Sequence, residues 1–525
     1  MTESKARGSS SLDTISVWPL NLIAWIGLHF LDSITISPGK FNSECRMIRR
    51  TQKMGSTALW TVKLVLFLAA MSVVVERKSF LNRMMTTYSW GKERAQQATP
   101  RPFSQNEIGN VAETMNVFHP RLLVFNGTMF EVYNLDHQKA SLMDTVFCGR
   151  CGKMIPLLVH ALMELNPSRF QPGQPVFQLL FSDGDDFDSN CVNHGACETD
   201  DFAPLLLFGS VPVDPTASPN IKGFPNWFYL TCLYDYKMYG VNRCEWAEPI
   251  DRTKVWDDLE NQLMWRGTDF AFLSAHKQMK FKGARSIHLD DTASKVETTM
   301  ALMNHWQDLS PRWRAIALST LAESKNETWI DAKFTGSYEN HTHHKFMAHG
   351  VEVRTSESTT SQEMSKYKYQ IDLGGGGGTS WRGTMSKLGM PGVLFHHETP
   401  TKDWFFDDMK HWEHYIPVHW SLVDLKEKVA WAQGNQAAAR KIADAGSALF
   451  DEFMDEPYMA RVYNELFVDY LGKIVDAYVP SAFPWSQVKR EYENRGFVME
   501  LIATCDVYVC HTFTESSPET RPHHF

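Results

Sequence analysis

Short apolar runs alternate with longer amphipathic segments between residues 116 and 260. The runs PRLLVFNGTMFEVYN (120–134), FQLLFSD (177–183) and APLLLFGSV (203–211) predict buried strands, and KMIPLLVHALMEL (153–165) predicts a helix. Strands that alternate with helices favour a parallel sheet covered by helices. The pattern therefore predicts the α/β class, with a Rossmann-like N-terminal domain over 116–260.

The same alternation returns between residues 261 and 480. Strands are predicted at LMWRG (263–267), KYQIDL (368–373) and MPGVLF (390–395), and helices are predicted at 291–306, 422–435 and 436–454. Region 261–480 is therefore predicted to be a second Rossmann-like domain. The segment SQVKREYENRGFVMELIATC (486–505) follows it, and we predict a helical C-terminal tail over 481–525.

The N-terminal region has a different pattern. Residues 58–75 form an apolar run that only Lys63 interrupts, and basic residues precede it. A helix that crosses a bilayer needs about 20 apolar residues, and basic residues before it favour a cytosolic N-terminus. We therefore predict a signal-anchor helix over 54–76, after an unstructured extension (1–53) and before a polar stem (77–115). A cleaved signal peptide and a buried soluble helix are the alternatives.

Composition narrows the class of protein. The 525 residues are too many for one hydrophobic core, and the net charge of −9 is spread along the chain. This distribution of charge argues against nucleic acid as the main partner, because its recognition needs clustered basic residues. Eight cysteines follow the apolar run, and sequons begin at Asn126, Asn326 and Asn340. These features predict a disulfide-bonded glycoprotein of the Golgi or endoplasmic reticulum membrane, single-pass type II, with its main domains in the lumen.

Five glycines, Gly374–Gly378, stand between the predicted strand KYQIDL and Ser380-Trp381-Arg382, which is predicted to open a helix. Glycine lets a backbone approach a ligand closely, and a helix N-terminus and an arginine both favour phosphate. Ligands of α/β sheets lie at the carboxyl ends of strands. We therefore predict a nucleotide phosphate site that includes Gly377 and Gly378. It is not a P-loop, because no Gly-Lys-Ser/Thr follows the glycines.

The block 366–431 resembles the signature of the CAP10-type glycosyltransferases, family 90, a group that includes protein O-glucosyltransferases and capsule xylosyltransferases. The resemblance rests on KYKY at 366–369, Ser-Trp-Arg at 380–382, DWFF at 403–406 and WEHYIPV at 412–418. Looser similarities lie at FPNWFYL (224–230) and MWRGTDF (264–270).

This resemblance implies a GT-B-like fold, in which two Rossmann-like domains face a cleft. It implies an inverting, metal-independent transfer from UDP-glucose or UDP-xylose to a hydroxyl of a protein or polysaccharide acceptor, with no cofactor. By resemblance Arg382 contacts the diphosphate, and Arg266 and Gly267 lie near the donor. Asp269 stands where the family usually has a basic residue, so one expected donor contact is missing.

Acidic residues supply the other candidates. Glu398 and Asp403 follow the predicted strand that ends near residue 395, where an acid can hold the ribose hydroxyls. Inverting transfer needs a carboxylate that takes the proton of the acceptor hydroxyl. The family places this Asp after an N-domain strand, and LLFSDGDDFD (179–188) fits, with Asp185 as the first candidate and Asp183 as the second.

Other readings of these polar clusters stay open. The loop at 183–186 is alternatively a solvated acidic loop, a helix N-cap or a DxD metal site. The histidines at 341, 343 and 344 are predicted to lie on the surface rather than to bind metal. At the level of function, the alternative is a catalytically inactive luminal relative that binds carbohydrate or protein. A metal-dependent glycosyltransferase is a weaker alternative.

Overall fold

The computed structural model describes residues 100–114, 120–137, 151–182, 203–213, 221–241, 244–247, 250–273, 281–355, 359–505 and 510–512. The predicted extension, the anchor at 54–76 and most of the stem lie outside these ranges. Among the described residues, no helix has both the length and the apolar character that a membrane crossing requires.

A seven-stranded mixed sheet organises the N-terminal half. Its strands are β1 (Pro120–Phe125), β2 (Phe130–His137), β3 (Phe177–Ser182), β4 (Leu205–Leu207) and β6 (Ile221–Gly223), joined by β13 (Phe497–Cys505) and β14 (Cys510–Thr512). The spatial order is β14-β13-β2-β1-β3-β4-β6. Helices α1 (Gln105–Thr114), α2 (Cys151–Leu165) and α3 (Trp227–Tyr239) belong to this half.

This sheet differs from the parallel sheet that the sequence predicts for 116–260. Only β3, β4 and β6 run parallel, whereas β1 pairs antiparallel with both β2 and β3. The reason is the tight turn between β1 and β2, which the Asn126 N–H closes by donating to the Met129 carbonyl (3.0 Å). So short a connection can join only antiparallel strands.

A five-stranded parallel sheet organises the C-terminal half. Its strands are β7 (Glu260–Thr268), β8 (Ile330–Gly336), β9 (Tyr367–Asp372), β10 (Val393–His397) and β12 (Ile416–Val418), in the order β12-β10-β9-β7-β8. All its strand pairs are parallel. This is the flavodoxin-like doubly wound order, and its direction reverses between β7 and β9. The predicted α/β class is therefore confirmed.

Helices connect and cover these parallel strands. They are α4 (Lys295–Asn304), α5 (Pro311–Ser324), α6 (Asn340–Ala348), α7 (Ser361–Met364), α8 (Arg382–Leu388), α9 (Leu425–Gly434) and α10 (Gln436–Met454). The start of α4 follows from a capping box between Ser294 and Glu297, and α5 starts with a proline at its first position.

The chain then returns to the N-terminal half through α11 (Glu456–Val462), a π-helix (Tyr463–Tyr470), α12 (Leu471–Ala477) and α13 (Trp485–Asn494). Their apolar side chains join the core of the seven-stranded sheet, while the face of the five-stranded sheet toward α5 has a separate core. The tail differs from the predicted all-helical segment. Gly496, at φ +91°, follows the end of α13, and β13 pairs with the open edge of β2.

Two disulfides lie within the described residues, Cys232–Cys244 and Cys505–Cys510. The first joins α3 to the segment after it, and the second joins β13 to β14. Disulfide formation, predicted from the cysteine count, is therefore present in the fold. Cys148, Cys191 and Cys197 lie outside the described residues.

The two halves are joined beside the glycine segment. A small two-stranded sheet pairs β5 (Val211–Pro212) with β11 (Thr401–Lys402), so each half contributes one strand. Next to it, the hydroxyls of Ser210 and Thr379 share a buried hydrogen bond of 2.7 Å. The N-terminal half therefore contacts the chain directly where the glycine segment ends.

Candidate functional site

The five glycines form a tight turn after β9. The N–H of Gly375 donates to the Thr379 carbonyl (2.9 Å), and the N–H of Gly378 donates to the Gly375 carbonyl (3.0 Å). A Cβ on Gly374 would lie 2.1 Å from the Gly378 carbonyl oxygen, and Gly378 has φ +88°. The glycines therefore permit a turn that folds onto itself, and they do not make a loose loop.

The turn is fastened to the sheet by two side chains. His397 Nδ1 accepts the Gly374 N–H (3.2 Å), while its Nε2 lies 2.8 Å from the Trp420 carbonyl. Burial lowers the pKa of His397 to about 4. The neutral ring, with Nε2–H donating and Nδ1 accepting, fits both contacts. The Thr401 hydroxyl donates to the Gly377 carbonyl (2.6 Å).

An open cavity of about 160 Å³ lies against this turn. Its lining comes from the end of β7, the start of α5 and the turn: Thr268, Phe270, Arg312, Gly375, Gly376, Gly377, Thr379, Ser380 and Trp381. These residues follow the carboxyl ends of β7 and β9, between which the strand order reverses. Open α/β sheets bind their ligands at this point. A complete ligand usually needs roughly 300–1,000 Å³, so this cavity has room for only part of a nucleotide sugar.

Arg312 is the cation of this cavity, and the sequence analysis missed it. Its Nη1 donates to the Thr268 carbonyl (2.9 Å), and its Nη2 donates to the Leu373 carbonyl (3.0 Å). Its buried Nε has no hydrogen-bond partner within the described residues. Burial lowers the pKa of Arg312 to about 10, so the group stays charged at neutral pH. A guanidinium held in this way is suited to phosphate.

The signal for Arg312 was available in the sequence SPRWRA (310–315). A serine followed by a proline marks the first turn of a helix. That position can bring an arginine close to the ends of neighbouring parallel strands.

Ser380 is fixed from behind by a buried chain of polar groups. Its hydroxyl shares a hydrogen bond with the Thr384 hydroxyl (2.8 Å), which in turn donates to Asp372 Oδ2. The same carboxylate contacts His396 Nδ1 (2.7 Å), and its other oxygen accepts the His397 N–H (2.9 Å). Burial raises the pKa of Asp372, but His396 and these hydrogen bonds outweigh burial and lower it overall.

Trp381 and Arg382 lie on the side of the cavity that faces the N-terminal half. Trp381 lines the cavity with φ +53°, a conformation uncommon for a large side chain. The guanidinium carbon of Arg382 lies 4.8 Å from the ring centre of Phe228 on α3. Arg382 is exposed and next to the cavity, but it is not part of the lining. The helix α8 begins at Arg382 as predicted and has only seven residues, so its N-terminus adds little to the case for an anion site.

Arg266 and Gly267 do not reach the cavity. Arg266 Nη2 lies 2.6 Å from Asp331 Oδ2, and its Nη1 donates to the carbonyls of Trp265 and Asp331. A Cβ on Gly267 would lie 2.7 Å from the Trp265 ring, so Gly267 makes room for that indole. In this structure the two residues organise β7 and β8 and do not line this cavity.

Glu398 and Asp403 are also placed outside the lining. Glu398 Oε1 lies 3.1 Å from His411 Nε2. Burial raises the pKa of Glu398, and burial also lowers the pKa of His411 to about 4. Asp403 accepts a hydrogen bond from Asn226 Nδ2 (2.9 Å) at the start of α3. That buried bond links the two halves of the molecule.

Asp269 has partners within the protein, and they explain why an acid occupies this position. It accepts the N–H groups of Tyr338 (2.6 Å) and Glu339 (2.9 Å), and it lies 3.0 Å from His343 Nε2. Burial raises its pKa, but His343 and the two N–H groups outweigh burial and lower it to about 2. His343 is fully buried, which corrects the surface position predicted for it, whereas His341 and His344 are exposed.

The two candidates for the catalytic base lie outside the described residues, whereas the three sequon asparagines lie within them. Asp183 and Asp185 lie outside the described residues, directly after Ser182, which ends β3. Asn126 is half-buried, and its side-chain oxygen accepts hydrogen bonds from Thr128 and Met129. Asn326 and Asn340 are exposed. Within the described ranges there is no group of three or more His, Cys, Asp or Glu that could hold a metal ion.

Residues 312–489 match the family model Glycosyl transferase family 90. The chain is 28% identical over 150 residues to protein O-glucosyltransferase 3 of Mus musculus. The aligned residues cover 29% of this chain and 28% of that protein. It is 28% identical over 171 residues to protein O-glucosyltransferase 2 of Danio rerio (31% of each chain). It is 30% identical over 146 residues to protein O-glucosyltransferase 3 of Homo sapiens (28% of this chain, 27% of that one).

The chain spans less than a third of the length of these curated relatives. The family match begins at Arg312 and includes the glycine turn, but β7 and all the strands of the seven-stranded sheet lie outside the matched residues. Residues 312–489 therefore match glycosyl transferase family 90, which confirms the resemblance seen in the sequence and supports a glycosyltransferase.

Proposed function

We propose that this protein is an inverting, metal-independent glycosyltransferase that moves glucose or xylose from a UDP-sugar to a hydroxyl of a protein or glycan acceptor. The observation that carries the proposal is the cavity at the strand reversal, where Arg312 and Ser380 stand beside the glycine turn. A cation and a hydroxyl around an exposed backbone are suited to a diphosphate. The turn, Arg312 and Ser380 all belong to the segment that matches family 90.

In this proposal the diphosphate occupies the cavity, and charge balance comes from arginine. Arg312 faces one side of it, and Arg382 moves from the Phe228 ring to reach the other. Positioned cations of this kind stabilise the negative charge that develops on a departing diphosphate. Because the cavity is small, the nucleoside and the sugar extend beyond it on opposite sides.

The reaction proceeds by a single displacement. Asp185, or alternatively Asp183, takes the proton of the acceptor hydroxyl. The acceptor oxygen forms a bond to the anomeric carbon while the bond from that carbon to the phosphate oxygen breaks. UDP leaves with the electron pair, and the anomeric configuration inverts. In this proposal the sugar end of the donor faces the N-terminal half, which carries the base. The carbonyl of Ser182, the residue before Asp183, accepts the N–H of Phe208 (3.0 Å). Phe208 comes two residues before Ser210, which bonds to Thr379 at the end of the glycine turn.

The wider setting is part of the same proposal. The two halves correspond to a GT-B-like arrangement, with acceptor binding in the N-terminal half and donor binding in the C-terminal half. Residues 54–76 anchor the chain in the membrane of the Golgi or endoplasmic reticulum as a type II protein. The similar proteins from mouse and zebrafish are protein O-glucosyltransferases, and this favours glucose as the transferred sugar.

The test is an assay of UDP release by the full chain from a panel of UDP-sugars in the presence of EDTA. We expect release from UDP-glucose or UDP-xylose, and loss of release in Asp185→Asn or Asp183→Asn with UDP binding retained. The variant Asp444→Asn, at an exposed position of α10, is the matched control. Activity that returns only with Mn²⁺ would contradict the metal-independent mechanism. Binding of UDP-sugar without release, with a panel of peptide and glycan acceptors present, would favour an inactive binding relative.

A further inference from the structure

Two aromatic side chains stand open at the mouth of the cavity. Phe270 lines it and is 36% exposed, and Tyr338 is 70% exposed. Their ring centres lie 5.2 Å apart, with an interplanar angle of 84°. Exposed aromatic rings that stand together beside a cavity are a feature of ligand-binding surfaces.

The backbone fixes the relative position of these two rings. In the parallel pair β7–β8, Thr268 is in register with Gly336, and this is the last paired position of both strands. Phe270 and Tyr338 each come two residues later. Both rings therefore emerge from the carboxyl edge of the sheet, beside the cavity.

Buried charge holds the Tyr338 segment in place. The Asp269 carboxylate accepts the N–H groups of Tyr338 and Glu339 and the hydroxyl of Ser337 (3.2 Å). Its side chain and that of its partner His343 are both fully buried. Asp269 and, to a smaller extent, Tyr338 are also near enough to Arg312 to raise the pKa of that guanidinium, against the larger lowering by burial. The exposed ring is thus presented by a fixed backbone next to the cation of the cavity.

We propose that Phe270 and Tyr338, positioned by Asp269, form an aromatic clamp for the nucleobase of the donor. The proposal rests on the proposed function, because it takes the cavity as the diphosphate site. The N-terminal half borders the cavity on the side of Thr379 and Trp381, so the sugar extends there. The nucleoside then extends to the opposite wall, which Thr268, Phe270 and Arg312 form. Stacking against aromatic rings suits a flat pyrimidine, and every nucleobase has such a face.

The experiment compares the binding of UDP and of inorganic pyrophosphate to the full chain by isothermal titration calorimetry. We expect Tyr338→Ala and Phe270→Ala each to weaken UDP binding by roughly tenfold, the scale of one stacked base, and to leave pyrophosphate binding unchanged. Tyr338→Phe keeps the ring and is expected to retain UDP affinity. Tyr239→Ala is the matched control, because Tyr239 is 67% exposed on α3 and pairs with Tyr234.

The outcomes separate the clamp from the diphosphate site. If both ligands bind the wild type and the alanine variants bind UDP normally, the clamp is wrong while the diphosphate site stands. If the variants bind UDP normally and show a raised KM for the acceptor alone, the rings serve the acceptor and the clamp is again wrong. If the wild type binds neither UDP nor pyrophosphate, both the proposed function and the clamp are overturned.

Discussion

Arg266 and Arg312 lie on opposite sides of the same strand end, and their surroundings differ. Arg266 is paired with Asp331 and two carbonyl oxygens between β7 and β8. Arg312 crosses the carboxyl edge of the sheet, where it has carbonyl partners, lines the cavity and has no carboxylate within hydrogen-bonding distance among the described residues. In the first region the positive charge is cancelled within the protein. In the second region Asp269 acts on the charge from beyond hydrogen-bonding distance, and the guanidinium stands beside a cavity where an anion can bind it.

The comparison shows that a residue's place relative to the strand end decides its role. Alternate residues of a strand point to opposite faces, and only the groups beyond the last paired residue reach the carboxyl edge. Arg266 comes before the Thr268–Gly336 pair, whereas the guanidinium of Arg312 lies next to Thr268 itself. A motif match identifies the strand, but it does not by itself identify which arginine serves the ligand.

The largest expected effect concerns the turn that forms one wall of the cavity. We expect Gly374→Ala to lower the free energy of unfolding by about 3 kcal/mol, because its Cβ would lie 2.1 Å from the Gly378 carbonyl oxygen. Gly434→Ala, at the end of α9 with open space around it, is the control and should be neutral or slightly stabilising. Urea unfolding measures both, and equal stability of the two variants would show that the turn is loose.

The second prediction tests the two arginines directly. Arg312→Ala should weaken UDP binding by about 100-fold, since it removes a charge-assisted contact to the diphosphate. Arg266→Ala should leave UDP affinity within about twofold, because its partner is Asp331. Calorimetric titration of both variants is the measurement. A larger loss of UDP affinity in Arg266→Ala than in Arg312→Ala would assign Arg266, and not Arg312, to the donor site.

The third prediction concerns pH and the fastening of the turn by His397. Its pKa in the folded state is about 4, below the ordinary value of about 6.5 in the unfolded chain. Between these values the unfolded state binds more protons, so stability falls as the pH drops from about 6.5 toward 4. The contribution of this group between pH 7 and pH 5 is about 2 kcal/mol.

His397→Gln should therefore show a shallower loss of stability with acid than the wild type. Unfolding by urea at several pH values measures the difference between the two proteins, which cancels the contribution of other groups such as His411. Parallel curves would mean that His397 is not kept neutral by the fold. His305→Gln, a change at the end of α4, is the control for the loss of an imidazole.

The smallest expected effect is on the ion-paired region. Arg266→Met should lower the free energy of unfolding by about 1 kcal/mol, since the pair with Asp331 is only partly shielded from water. Asp331→Asn should cost a similar amount, and the double variant should cost less than the sum. Additive losses would show that the two side chains do not act as a pair.

Much of the C-terminal half could be predicted from the sequence. The strands KYQIDL and MPGVLF, the helices at 436–454 and 422–435 and the turn between β9 and α8 agree with the structure. Periodicity was sufficient there because β10 is buried along its whole length and β9 along most of it, and each helix has one apolar face. Ser380 and Trp381 were placed at the cavity for the same reason.

The rest depended on contacts between segments that are distant in the chain. The strand β13 pairs with β2 more than 350 positions earlier, as in Leu501 with Tyr133, and no local pattern encodes that partner. Asp403 was predicted to hold the ribose because it follows β10. In the structure its carboxylate accepts a hydrogen bond from Asn226 in the N-terminal half. The sequence indicated that Asp269 replaces a basic residue that would contact the donor. In the structure its carboxylate instead accepts hydrogen bonds from residues 337–339.

The most direct test of the account is a crystal structure of the full chain with UDP. The account predicts the diphosphate in the cavity, within hydrogen-bond distance of the Arg312 guanidinium and the Ser380 hydroxyl, with the uracil against Phe270 and Tyr338. UDP bound elsewhere, for instance between Arg266 and Glu398 with the cavity empty, would contradict the central claim that the carboxyl edge between β7 and β9 is the donor site.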